Sequence, residues 1–138
     1  MKISTALAIA LFTSGSLMAT DKTPQVVKDS FTKAYPKVAK VSWEEEDGNF
    51  EAKFKDGKKE LSVIYKADGS LIETEELLKE AELPKKVTSE AHKAHPKAKF
   101  LEFAKITRAD GTVVYEVEIK ENGKETDLLF SPEGKETK

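Results

Sequence analysis

Ala34-Tyr35-Pro36-Lys37-Val38 recurs as Ala94-His95-Pro96-Lys97-Ala98, and the surroundings of the first copy recur around the second. Pro24 and Pro36 stand as far before Pro84 and Pro96 as Trp43 stands before Phe103. Glu51 and Gly57 precede Glu116 and Gly123 by slightly more, which places an insertion mainly in the first hairpin. A fixed internal period marks one structural module used repeatedly. The module predicted here is one helix followed by four antiparallel strands, over residues 23–76 and again over 83–138, with a bridge at 77–82. Either half alone is near the lower size limit for an adequate core, so the two are expected to share one. The fold class is α+β: helices packed on one face of a curved antiparallel sheet.

The local signals follow the same order in both halves. Thr23 is placed to cap a helix with Pro24 at its first position. Val27, Phe31 and Ala34 then fall on one helix face with Tyr35 beside them. Pro36 stops the helix, because the residue before a proline avoids the helical region. Val41 and Trp43 share one face of a strand, and Asp47-Gly48-Asn49 signals a hairpin. Phe50-Glu51-Ala52-Lys53-Phe54 alternates apolar and charged, as a half-buried strand does. Leu61, Val63 and Tyr65 form a third strand, with Ile64 apolar on its other face, and Leu71-Ile72 opens a fourth. Leu77, Leu78 and Ala81, set among acids and Lys79, suggest a short helix in the bridge. In the second half Val87, Ala91 and Ala94 line the helix face. Residues 100–107 read as a strand with Phe100, Ala104 and Ile106 on one face and Leu101 and Phe103 on the other. Val113, Tyr115, Val117 and Ile119 alternate with charged residues, Asn122-Gly123 turns, and Leu128-Leu129-Phe130 follows.

The first residues read differently. Lys2, an apolar run over 3–12 and the small-residue exit Ser14-Gly15-Ser16-Leu17-Met18-Ala19 describe a secretory signal peptide, 1–19, cleaved after Ala19. No cysteine follows Ala19, so a lipid anchor is not expected, and the apolar run is too short to span a bilayer. The expected location is the periplasm, with no membrane insertion after cleavage. The net charge of −2 becomes one unit more negative when Lys2 is removed. Acids and lysines are interspersed, which excludes a basic stripe for nucleic acid. The absence of cysteine excludes disulfides, thiol redox chemistry and cysteine metal sites.

With these motifs in place the chain resembles the PepSY-like, β-lactamase-inhibitor-protein-like secreted proteins of Gram-negative bacteria. The resemblance rests on Ala34-Tyr35-Pro36-Lys37-Val38 with Trp43, on Asn49-Phe50-Glu51-Ala52-Lys53-Phe54 and on Ala67-Asp68-Gly69-Ser70-Leu71. In the second half it rests on Lys105-Ile106-Thr107, Asp110-Gly111 and Val114-Tyr115-Glu116-Val117-Glu118. It covers essentially all of residues 20–138. It implies helices on one face of a curved sheet, the free concave face gripping a partner protein, and a link to the restraint of proteases. The chain departs from true β-lactamase inhibitors in having none of their disulfides.

No catalytic constellation stands out, and no enzyme is expected. The serines lie in turns and helix starts without a Gly-x-Ser-x-Gly elbow, and the glycines are isolated turn residues that cradle no phosphate. Glu51 and Glu116, at matched positions, are expected on the polar sheet face, one in each half. Glu44-Glu45-Glu46-Asp47 leaves a strand for a turn, so its side chains diverge and match no calcium loop. His92 and His95 share a helix face, but two ligands make a weak metal site, and His95 stands where the first half has Tyr35. No cofactor and no metal are expected. The remaining candidate is a surface. Trp43 and Tyr115 are the strand aromatics with a polar handle, and they are predicted as anchors for a cell-envelope protein or peptide on the open sheet face. The alternative is an envelope protein binding an ion or small molecule between the halves.

Overall fold

The computed structural model describes residues 21–137, so the leader predicted over 1–19 lies outside the described residues. The chain runs α1 (Gln25–Ala34), β1 (Val41–Glu46), β2 (Asn49–Asp56), β3 (Lys59–Lys66) and β4 (Leu71–Leu78). A 3-10 turn at Glu80–Glu82 leads to α2 (Lys85–Ala94), β5 (Lys99–Arg108), β6 (Val113–Glu121), β7 (Lys124–Phe130) and β8 (Glu136–Thr137). All eight strands form one sheet in the order of the chain, each antiparallel to the next. This is the expected α+β class. No described helix is long and apolar enough to cross a membrane.

Helix ends follow from the prolines. Tyr35 and His95, the residues before Pro36 and Pro96, have the same backbone angles (φ −127°, ψ 63°) and close their helices onto the carbonyls of Phe31 and Ala91. At the other end Pro24 and Pro84 occupy the N-cap positions and supply no side-chain cap. The expected Thr23 cap with Pro24 as first helical residue is therefore corrected by one position. Val27 and Phe31, and Val87 and Ala91, are the buried helix residues. Ala34 and Ala94, expected on the same face, are exposed.

Both helices cover the same face. Val27 and Phe31 pack on Phe50, Ala52, Phe54, Val63 and Tyr65. Leu83, Val87 and Ala91 pack on Val117, Ile119, Leu128 and Phe130. Cross-strand register carries Val63 through Thr74 and Thr107 to Val113, which shares its face with Val117. The central joint is β4–β5, from Glu73 opposite Arg108 to Leu78 opposite Phe103. Leu77 and Leu78 are thus strand residues, and the bridge shortens to the 3-10 turn.

Strand β5 carries the main correction to the pattern reading. The β5–β6 register shifts between Phe100 and Glu102, so Leu101 is bulged out. Phe100 and Phe103 consequently share the helix face, opposite Ile119 and Val117, whereas Ala104 and Ile106 point the other way. Strict alternation had split these residues wrongly because one extra residue inverts every side chain beyond it.

Two hairpin turns tuck beneath the helices. Gly69, between β3 and β4, has φ +84°, and a Cβ there would lie 2.7 Å from Ser30 Oγ and 2.9 Å from the Val26 carbonyl oxygen. Gly134, between β7 and β8, has φ +83° and would place a Cβ 2.7 Å from the Lys86 carbonyl oxygen. Gly111 has a similar φ of +86° but open space around it. Alanine costs about 1–2 kcal/mol at any of the three from backbone strain alone. Gly69→Ala and Gly134→Ala are expected to lose about 1–2 kcal/mol more than Gly111→Ala in urea unfolding, since helix backbone must also move. Equal losses at all three would show that the turn-to-helix contacts are dispensable.

Candidate functional site: the open face of the sheet

No described element lies over the face opposite the helices, yet its centre is not wet. Glu51, Glu75 and Glu116 are 4%, 3% and 7% exposed, and Ser62, Ile64, Ala104, Ile106 and Val114 are buried beside them. Strand register puts all of these on one face: Glu51 opposite Ile64, Ser62 opposite Glu75, Glu75 opposite Ile106, Ala104 opposite Glu116. Opposite and diagonal neighbours on one sheet face stand close enough to shield one another from solvent. The result is a trough whose floor mixes carboxyls with short apolar side chains.

The carboxyls of the trough are served unequally. In the β2–β3 hairpin, Ser62 Oγ donates to Glu51 Oε1 at 2.5 Å. Lys53 Nζ lies 3.2 Å from Glu51 Oε2 and donates to Glu44 Oε2 at 2.8 Å. Burial works against the charge of Lys53, but Glu44 and Glu51 outweigh it and hold the ammonium above its ordinary pKa.

Nothing comparable serves the middle of the trough. Glu75 Oε1 is buried without a hydrogen-bond partner in the protein. Burial, and then the neighbouring Glu116, Glu51, Glu73 and Glu102, push the Glu75 carboxyl up to about 9. Burial, followed by Asp127, Glu102, Glu118 and Glu73, pushes Glu116 up to about 8. Glu73, Glu102, Glu118 and Asp127 are raised too, each first of all by burial. Of the cations nearby, Arg108 faces Glu73 across the β4–β5 ladder, and Lys120 is held by Glu125 at 2.8 Å.

Trp43 and Tyr115 are not in this trough. Both are half-buried on the helix face, Trp43 against the first core cluster and Tyr115 against the second. The Trp43 ring meets Phe31 edge-on at 5.5 Å and lies 6.5 Å from Tyr65. Their placement on the open face is corrected, because odd-numbered residues of β1 and β6 point to the helices. The histidines diverge as well. His92 Nε2 lies 2.6 Å from Glu80 Oε1 with its ring against Phe100, whereas His95 Nδ1 lies 3.2 Å from Glu121 Oε2. Glu44, Glu45 and Glu46 are all exposed, on alternate faces of β1. Among the described residues no three histidines or carboxylates are grouped to hold a metal ion.

Sequence reading put Glu51 and Glu116 on the open face but missed Glu75. β4 shows no alternation of apolar and polar residues, Leu-Ile-Glu-Thr-Glu-Glu-Leu-Leu, and nothing in it separates a buried glutamate from a solvated one. The nearest thing to a signal was positional. Central strands of a shared sheet bury both faces, and β4 is the strand that joins the halves.

No protein-family profile matches the chain, and no curated protein matches it in sequence. Solved structures do match in shape. A DUF2874 family protein from Bacteroides ovatus superposes with a TM-score of 0.77 at 20% identity, covering 86% of each chain. A "putative periplasmic protein" from Bacteroides eggerthii has a TM-score of 0.77 at 15% identity, over 84% of this chain and 86% of that one. A BLIP-like protein from Bacteroides fragilis has a TM-score of 0.70 at 22% identity, over 83% of this chain and 84% of that one. At these identities the likeness is one of fold, and the fold of this chain is that of BLIP-like and DUF2874 proteins.

Proposed function

We propose that the chain is a non-enzymatic, PepSY-like binding protein of the cell envelope, and that it engages a protein or peptide through the open face of its sheet. In this reading the two halves are copies of one helix-plus-four-strand unit, fused into a single gripping surface. The observation that carries it is the trough: a broad sheet face that no described element covers, with a floor of short apolar side chains and incompletely paired carboxyls. The buried apolar side chains are the part of this surface that resembles an interface centre, and the carboxyls ask for complementary charge from a partner. The leader read in residues 1–19 and the fold shared with a "putative periplasmic protein" support an envelope location. The fold shared with a BLIP-like protein supports binding of another protein, with restraint of a hydrolase as one mode. The small-ligand alternative has less behind it. The cleft under α2, lined by Leu83, Ala91, His92, Phe100 and Phe103, is too shallow to enclose even a water-sized body, whereas usual ligand pockets enclose ~300–1,000 Å³.

The chain has no cysteine, so a single one can be introduced for blocking. Residues 20–138 are used as immobilised bait against envelope proteins of the host. One bait carries a bulky maleimide polymer at Glu102→Cys on the trough side of β5, and the other carries it at Thr32→Cys on the exposed side of α1. Loss of a saturable partner only with the label at position 102 is the expected result. Loss only with the label at position 32 would move the interface to the helix face. No saturable partner for the unlabelled bait would overturn the reading.

A further inference from the structure

The two hairpins of the trough differ at matched positions, and the difference specifies a charge. In β2–β3, Glu51 is followed two residues on by Lys53, which stands across the ladder from Ser62. In β6–β7, Glu116 is followed two residues on by Glu118, which stands across the ladder from Asp127. The first arrangement completes its buried carboxyl internally, with an ammonium 3.2 Å away and a hydroxyl donor at 2.5 Å. The second puts two more carboxylates where the donors would be. Both are half-buried and open to the trough. Two strands from Glu116 on the same face, Glu75, 3% exposed, holds a buried Oε1 with no partner.

An unpaired buried carboxyl costs free energy that a donor would recover. The donor that fits three acids on the adjoining strands β6 and β7, with a fourth buried on β4, is a cation. The floor around them, Ile64, Ala104, Ile106 and Val114, is apolar and buried. Lysine and arginine lay their aliphatic stems along such a surface while the head reaches a carboxylate. We propose that the second half of the trough seats a basic segment of a partner protein, whose lysine or arginine takes at Glu116, Glu118 and Asp127 the place Lys53 fills at Glu51. This rests on reading the trough as the partner-binding face, and it adds the chemistry of the partner.

The test uses an acetylated, amidated peptide of alternating lysine and serine as probe, at low salt so that screening is weak. The protein is observed by its backbone amide NMR shifts. The expected result is saturable shifts centred on β6, β7 and the facing residues of β4. Glu118→Lys, which copies the first hairpin, is expected to weaken the peptide at least about tenfold while the protein stays folded. Asp127→Asn is the milder second variant, with a smaller loss in the same direction. Glu45→Lys, an exposed residue of the helix-side face of β1, is expected to leave binding unchanged. Shifts on the helix face, or equal weakening by all three variants, would overturn the proposal. So would equal binding of spermidine, which would make the site one for free polyamines. A concentration-dependent dimer abolished by Glu118→Lys would name a second copy as the occupant and overturn it as well. If the bait experiment finds a trough-bound partner that Glu118→Lys does not release, the binding reading stands and this inference falls.

Discussion

Phe31→Ala is expected to destabilise the protein by about 3–5 kcal/mol, enough to consume a large part of the ~5–15 kcal/mol by which a domain of this size is stable. Phe31 is 4% exposed and is the hub of the first core. Its ring centre lies 5.0 Å from Phe54, 5.3 Å from Tyr35 and 5.5 Å from Trp43, the first and last edge-to-face. Truncation removes its own buried area and also the ring contacts that orient its neighbours, each worth roughly 0.5–1.5 kcal/mol beyond area. The cavity cannot collapse easily, because Val27 and the sheet fix the helix on either side. The second half has no such hub. Ala91 stands at the place of Phe31 and His95 at that of Tyr35, and the core there is Leu83, Val87 and Ala91 set on Val117, Ile119, Leu128 and Phe130. Val87→Ala is therefore expected to cost less, about 1–3 kcal/mol. Urea unfolding of both variants at one pH decides the matter. A loss below about 1 kcal/mol for Phe31→Ala would show that the aromatic cluster is not what holds α1 to the sheet.

How much of this was legible in the sequence depended on whether a feature was local. Turns were legible because their chemistry is local. Asp47-Gly48 and Asn122-Gly123 take positive φ at both residues, which is what two-residue hairpins need. Helix ends were legible because proline constrains the residue before it, as at Tyr35 and His95. The β2, β3 and β6 faces were legible from alternation. The bulge at Leu101 was not, since it adds a residue without any glycine or proline to mark it. The trough was the least legible feature. Glu51 and Glu116 look, in sequence, like the solvated half of an alternating strand. Their burial depends on neighbours brought in from other strands, which no window of residues contains. The placement of Trp43 and Tyr115 on the open face failed for a related reason. Trp43 and Tyr115 have the right chemistry for an interface, but the parity that decides their face is set by their strand neighbours, which are core.

Stability is expected to fall as pH rises from about 5 to about 9, the reverse of what a protein held by carboxylate salt bridges shows. The sign follows from proton counts. Glu75 and Glu116 hold their protons up to about 9 and about 8 in the folded chain, against 4.5 for an ordinary glutamate. Between those limits the folded state binds more protons than the unfolded one, so each step up in pH favours unfolding. Their contribution is complete below the ordinary glutamate pKa and is lost as pH rises through the folded values. Glu73, Glu102, Glu118 and Asp127 lie on the same face and act in the same direction, whereas Arg108 beside Glu73 tempers it. Asp21 opposes at the acid end. Lys28 and Thr23 hold it at about 2, so its contribution is lost only as pH falls below the ordinary aspartate value of 3.8. A maximum results between the ordinary aspartate value of 3.8 and the ordinary glutamate value of 4.5. Glu75→Met removes the unpartnered carboxyl, keeps its volume, and sets an apolar side chain between Ser62 and Ile106. It is expected to stabilise by about 1–4 kcal/mol at pH 9 and to change little at pH 5, where the folded carboxyl is already neutral. Urea unfolding at pH 5, 7 and 9 reads both. Equal gain at all three would mean the carboxyl does not titrate in the folded state over this range, and a parent stability that rose towards pH 9 would reverse the whole account. The same linkage bears on binding. A cation seated in the trough must draw protons off Glu75 and Glu116, so its affinity should rise with pH while the stability of the free protein falls. That opposition is what separates a receptor for charge from a sheet face that is merely acidic.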